Sequence, residues 1–277
     1  MIAWYLGDDT SYNTTPSELF DRYDAVKAAD PTRLTTQADV VGARQEISNY
    51  QDYVAGSDNF LPELYPVRGK TPDSDRDCVA KVILDMKRCR SDIENANAGV
   101  KSIWPIIQYF EGWGWKRFPT CQELRAMSFA ALIHGAHGIT WYTYGGEVNA
   151  EKNMFNYGVT TTPERWDNMT TIARQIRDLA PALLERTPQD QPAVTVSEGP
   201  TTDAFGNPSV TCLLKEHEGN IYLLCVNACP VPVQASFTPI PAAEGRVLYE
   251  DRNISLDTNT LTDHFEGHEV HVYQLTK

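Results

Sequence analysis

A β-α-β unit between residues 102 and 146 narrows the folds open to this chain more than any other feature. It begins with the apolar run Ile103-Trp-Pro-Ile-Ile107 and continues through Gln108-Tyr-Phe-Glu-Gly-Trp-Gly-Trp115. A helical run follows Thr120, and the unit returns through Gly138-Ile-Thr-Trp-Tyr142 to Gly145. Both apolar runs are short, β-branched or aromatic, and closed by glycine, which predicts fully buried strands. The run between them has Thr120 placed as N-cap, Glu123 at the capping-box position and Gly135 as the stop, which predicts a helix over 120–135. Each strand ends in aromatic and polar residues: Gln108, Tyr109, Glu111, Trp113 and Trp115 after the first, Trp141, Tyr142 and Tyr144 after the second. Aromatic faces and carboxylates gathered at the carboxyl ends of parallel strands are what a sugar site in an α/β barrel needs. The alternative is that these rings are core. The glycines at 112 and 114 weigh against that, because a packed core rarely wants such permissive backbone.

The same alternation extends upstream. Residues 2–6 read as an apolar strand ending in Gly7-Asp8-Asp9-Thr10, with a helix from Thr15 to Asp30, a strand over 32–38 and a short helix over 44–53. A strand with its exit loop over 57–66 and an amphipathic helix over 77–96 come next. Beyond 146 a helix over 163–185 carries Trp166, Met169, Ile172, Ile176, Leu179 and Leu183 as an apolar stripe. After Pro188 only strand signals remain. The expected fold class is therefore α/β plus all-β: a parallel sheet with helical crossovers over 1–188 and a small antiparallel β-sandwich over 189–277.

Composition excludes several partners. A formal net charge of -13 argues against nucleic acid or an anionic membrane and fits a neutral polar substrate. No apolar run approaches the roughly 18 residues of a membrane span, and the start lacks the basic segment of a signal peptide. As written the chain is expected in the cytoplasm; as a piece of a longer precursor it would be extracellular or periplasmic. The six cysteines show no C-x-x-C pair and read as reduced thiols, with a Cys212–Cys225 bridge across a hairpin as the alternative. His264, His268 and His271 are assigned to a strand and its approach loop rather than to a metal, and nothing calls for a cofactor. There is no phosphate loop and no G-x-S-x-G elbow.

Taken together, the stretches Ala3-Trp-Tyr-Leu-Gly-Asp8-Asp9, 58–66, 103–111 and 138–145, with the tail from Tyr249 to Tyr273, resemble the carboxyl-terminal part of clan A glycoside hydrolases. These are (β/α)8-barrel retaining enzymes of the β-galactosidase and cellulase type. The resemblance implies a partial barrel holding strands four to eight and lacking the first three, hydrolysis of β-linked sugars by two carboxyl groups, and carbohydrate as the partner. It places Asp9 where the family has its acid/base glutamate, Asp8 in the place of a sugar-binding asparagine, and the nucleophile at the end of strand seven. There Glu111 is the nearby carboxylate, with Glu63 at the exit of strand six in reserve. Tyr65, Gln108, Trp113, Trp115, Trp141 and Tyr142 are the expected substrate contacts. Two departures stand out. The aspartate at position 9 sets its carboxyl one methylene further back than glutamate, and an unclosed barrel leaves strand edges to be covered, for which a second copy of the chain is expected. A carbohydrate-binding half-barrel that no longer turns substrate over is the competing reading, and one piece of a longer gene product a third.

Overall fold

The computed structural model describes residues 2–40, 50–149 and 154–276. The first half alternates as the sequence pattern predicts. Strand β1 (Ala3–Gly7) runs into the one-turn helix α1 (Thr10–Asn13) and then α2 (Pro16–Ala29). Strands β2 (Leu34–Val40) and β3 (Asn59–Leu64) precede α3 (Cys78–Ala96). Strands β4 (Ser102–Ile103) and β5 (Ile106–Gln108) are one run broken at Trp104-Pro105, where proline cannot donate to the ladder. The short β6 (Glu111–Gly112) leads to α4 (Cys121–Ile133), β7 (Thr140–Tyr142), the hairpin β8 (Glu147–Asn149) and β9 (Met154–Tyr157), and the long α5 (Pro163–Leu184). The helix expected over 44–53 falls mostly outside the described residues; from Tyr50 onward the chain makes 3-10 turns.

The main sheet is parallel, in the order β1-β2-β3-β5-β7, with β4 also on β3, and it curls into a half-barrel. Its pleat sorts the side chains. Phe60, Leu64, Ile103 and Ile107 point outward, where they join Val79, Val82, Ile83 and Met86 of α3 and Leu124, Met127 and Phe129 of α4 in one apolar cluster. The opposite, concave face carries Tyr5, Thr36, Asn59, Glu63, Ile106 and Thr140 in cross-strand register. At its lower end Asn59 Nδ2 donates to Thr36 Oγ1 at 3.1 Å and Ser102 Oγ donates to Asn59 Oδ1 at 2.7 Å. That chain of bonds pins the register where Val and Leu alone would allow slippage.

The tail forms two antiparallel sheets. One has strands β10 (Ala193–Glu198), β13 (Val233–Thr238) and β16 (Leu261–Phe265) in the order β10-β13-β16. The other has β11 (Val210–His217), β12 (Asn220–Asn227), β14 (Glu244–Val247), β15 (Arg252–Ser255) and β17 (Val270–Thr276), in the order β11-β12-β17-β14-β15. Alternation along β12 splits its side chains: Ile221, Leu223 and Cys225 fill the space between the sheets, whereas Leu224 and Val226 face the barrel helices and belong to the main cluster. Cys212 lies opposite Cys225 in the β11–β12 register, and all six cysteines are free thiols.

Candidate active site

The carboxyl ends of the parallel strands bring acidic groups together. After β1 the backbone turns at Asp9, which adopts a left-handed φ of 46° as it enters α1. Asp8 accepts from the Tyr5 hydroxyl at 2.5 Å. From β2, buried Asp39 receives Ser11 N and Ser11 Oγ, each at 2.8 Å, and Thr10 Oγ1 at 3.1 Å, so it fixes the turn that carries Asp8 and Asp9. From β3, Glu63 projects on the concave face. Burial pushes its carboxyl up to about 8, and the charges of Asp9, Asp8 and Asp39 add to the shift. Asp9 is itself raised, by burial first and then by Asp8 and Asp39. Three strands thus each contribute a carboxyl to one site, and like charges there cannot all ionise together.

An aromatic wall stands beside these acids. Tyr65 stacks on Tyr142 with ring centroids 6.1 Å apart and meets Phe110 edge-on at 5.1 Å and Trp115 at 5.9 Å. Trp113 stacks on Tyr142 at 6.2 Å. The glycines explain how two tryptophans reach one wall. Gly112 N donates to Trp115 O and Trp115 N to Gly112 O, closing a two-residue turn in which Trp113 (φ 49°) and Gly114 (φ 113°) are both left-handed. Holding tryptophan there costs about 1–3 kcal/mol, a strain that such sites carry when the ring's direction matters. Burial raises the Tyr65 hydroxyl, with Glu63, Tyr142, Asp8 and Tyr5 as further causes, which ties the wall to the acids.

Not every expected residue joins this group. Trp141 follows the opposite pleat: its indole donates to Ser128 Oγ of α4 at 3.2 Å and packs against the main cluster on the helix side. Gln108 is fully buried, and its amide is taken up by the backbone of Val67, with Val67 N donating to Oε1 and Nε2 donating to Val67 O, both at 2.8 Å. It holds the loop after Tyr65 in place. Replacing it by leucine leaves both Val67 groups unpaired, so a loss of roughly 2–4 kcal/mol in urea unfolding is expected. Glu111 sits on the β6 turn, where it pairs with Arg165 of α5 at 3.8 Å. Beyond burial, the charges that shift Glu63 are those of Asp9, Asp8 and Asp39. Tyr5, Asp39 and Phe110 were not anticipated; an acidic residue closing each of three successive strands was the available signal.

Next to Glu63, Tyr65 and Trp115 a cleft of about 590 Å³ opens toward α3 and the loop between β10 and β11, lined also by Arg68, Asp77 and Phe205. The Arg68 guanidinium lies 4.9 Å from the Trp115 ring centre. Asp75 shapes this flank: its Oδ1 receives Arg68 N at 2.8 Å and Gly69 N at 2.6 Å, and its Oδ2 binds Arg117. Gly69 passes so close that an added Cβ would lie 2.0 Å from Ser74 Oγ.

No family model matches the chain, and no curated protein matches it. Solved structures do. An α-amylase from Geobacillus thermoleovorans complexed with acarbose aligns over 100% of this chain and 60% of its own, at 13% identity and a TM-score of 0.60. An Anoxybacillus α-amylase aligns over 100% and 59%, at 11% identity and a TM-score of 0.61. A β-galactosidase from Bacillus circulans sp. alkalophilus aligns over 94% and 66%, at 10% identity and a TM-score of 0.59. The chain spans about 60% of the length of the first structures it resembles. At these identities the likeness is one of fold alone: the half-barrel and the antiparallel sheets that follow it align with part of each of these structures.

Proposed function

We propose that this chain carries the active site of a glycoside hydrolase that cleaves β-linked sugars by a two-carboxyl, retaining mechanism. The observation that carries the reading is the clustering of Glu63 with Asp8 and Asp9 beside the Tyr65–Tyr142 wall, where burial first and then the neighbouring charges push the Glu63 carboxyl up. A retaining enzyme needs one carboxylic acid to protonate the leaving oxygen and one ionised carboxylate to attack, about 5–5.5 Å apart. Family position gives the acid to Asp9 and the nucleophile to Glu111. The electrostatics favour Glu63 as the acid, because its carboxyl is pushed up to about 8 by burial and by its acidic neighbours; Asp9 is then its partner, and Glu111 stands beside Arg165 at the rim. Tyr65, Trp113, Trp115 and Tyr142 supply the stacking surface and Asp8 a hydroxyl acceptor. Trp141 and Gln108 support the site from behind.

A panel of nitrophenyl α- and β-glycosides tests this. Hydrolysis of a β-glycoside that is lost in Glu63→Gln and in Asp9→Asn supports the assignment. Loss in Glu111→Gln with Glu63→Gln active returns the roles to the family positions. Binding without turnover in the native chain favours the second reading, a carbohydrate-binding half-barrel, for which the shortened acid at position 9 speaks.

We also propose that a second copy covers the free edge of β1, where Ile2 is 77%, Tyr5 54% and Trp4 39% exposed. Light scattering is expected to give twice the 31.1 kDa chain mass and to return to the single mass in Ile2→Lys. A monodisperse monomer of the native chain would refute it.

A further inference from the structure

The cleft beside Glu63 has a far wall that belongs to the tail domain. Phe205 stands at the tip of the loop between β10 and β11, is 44% exposed, and lines the same cleft as Tyr65 and Trp115. A large apolar side chain at a loop tip normally folds back onto the surface, since nothing there offsets its contact with water. Here the loop is built to hold it out. Asp203, only 8% exposed, accepts from Phe205 N at 2.8 Å, Asn207 N at 2.9 Å and Asn207 Nδ2 at 3.0 Å. Backbone bonds from Asp203 N to Asn207 O at 2.7 Å and from Gly206 N to Asp203 O at 3.2 Å close the turn, with Gly206 at φ 79°. The loop is also tied to the barrel, because Lys87 Nζ of α3 donates to Asn207 Oδ1 at 2.6 Å. The backbone that carries the ring is therefore preorganised and tied to the barrel, which lowers the entropy lost when a ligand stacks on the ring.

We propose that Phe205 is a distal sugar-stacking platform, so that the cleft takes an oligosaccharide chain running from the Tyr65–Trp115 wall across to the tail domain. The surface between the two aromatic ends is polar, with Arg68, Asp77 and Lys81 along it, and a sugar chain presents hydroxyls on its rim and apolar ring faces above and below. A cleft of this volume is in the range that encloses ligands larger than one ring. The proposal rests on the carbohydrate reading of the site and adds the length of ligand and the domain that reads it.

Tryptophan fluorescence titrations with linear xylo-, cello- and malto-oligosaccharides of one to six units test it. In at least one series the native protein is expected to gain affinity with length. Phe205→Ala is expected to lose about tenfold on the longest chains, with monosaccharide binding and the circular dichroism spectrum unchanged; Phe205→Trp restores the loss. Equal affinity of the native protein and Phe205→Ala for every length overturns the platform alone. No binding of any series by the native protein overturns the carbohydrate reading and the platform with it.

Discussion

Glu63→Gln is expected to lower turnover of any hydrolysed glycoside by roughly 10²–10⁴-fold and, in alkaline solution, to make the protein more stable. Both effects follow from the same carboxyl. Folded, it titrates near 8 because burial and the charges of Asp9, Asp8 and Asp39 oppose its ionisation. Unfolded, it ionises at the usual carboxylate pH. Between the two the native state holds a proton that the unfolded state has released, so native stability falls as pH rises through that window and the full penalty is present above about 8. The penalty is at most about 5 kcal/mol, and solvent reaching the concave face reduces it. Glutamine cannot ionise and escapes it. Thermal melts from pH 5 to 9 should therefore diverge, with Glu63→Gln melting higher at the alkaline end. The alkaline limb of kcat/KM should track the same titration in the native protein. In Asp9→Asn, which removes a neighbouring charge, any residual activity should show that limb at lower pH. Parallel melting curves across the range would mean that Glu63 is not held protonated, and the assignment of the acid would fall with it.

Arg117→Met is expected to destabilise the fold by about 3–5 kcal/mol, because it strands two buried carboxylates at once. Arg117 binds Glu123 through two parallel bonds of 2.7 Å and reaches Asp75 at 3.1 Å. Both acids are nearly inaccessible. Arg117 and the Thr120 backbone hold Glu123 below the usual carboxylate range against the opposing effect of burial. Glu123 also closes the capping box of α4, and Asp75 grips the Arg68–Gly69 backbone at the edge of the cleft. The variant should show its loss in urea melts and a faster proteolytic cut near Arg68. Removing one of the stranded charges as well, in Arg117→Met with Glu123→Gln, should recover part of the stability. Additive losses in that double variant would mean the three groups do not act together.

Much of the architecture could be read from periodicity. Five parallel strands and four of the connecting helices fall where turns, caps and apolar stripes put them, since these are local signals. The aromatic wall was partly legible. Tyr65, Trp113, Trp115 and Tyr142 gather at the expected strand ends, and the glycines at 112 and 114 marked the turn that turns two indoles the same way. Trp141 and Tyr142 could not be told apart, because a strand buried on both faces gives no alternation from which to choose a side. Gln108 looked like a ligand contact because its type and place fit one, yet its amide serves Val67, a partner 41 positions away that no local pattern points to. The protonation of Glu63 was equally hidden. It depends first on burial and then on acids contributed by two other strands, and only folding sets both.

The way β12 shares its side chains between two apolar clusters bears on how this molecule can be cut. With Leu224, Val226, Val270 and Val272 packed into the same interior as α3 and α4, the tail is no bead on a string. A truncation at the linker would leave the barrel helices with a raw hydrophobic wound, and grafting on a foreign tail would require a matching surface as well as a compatible joint.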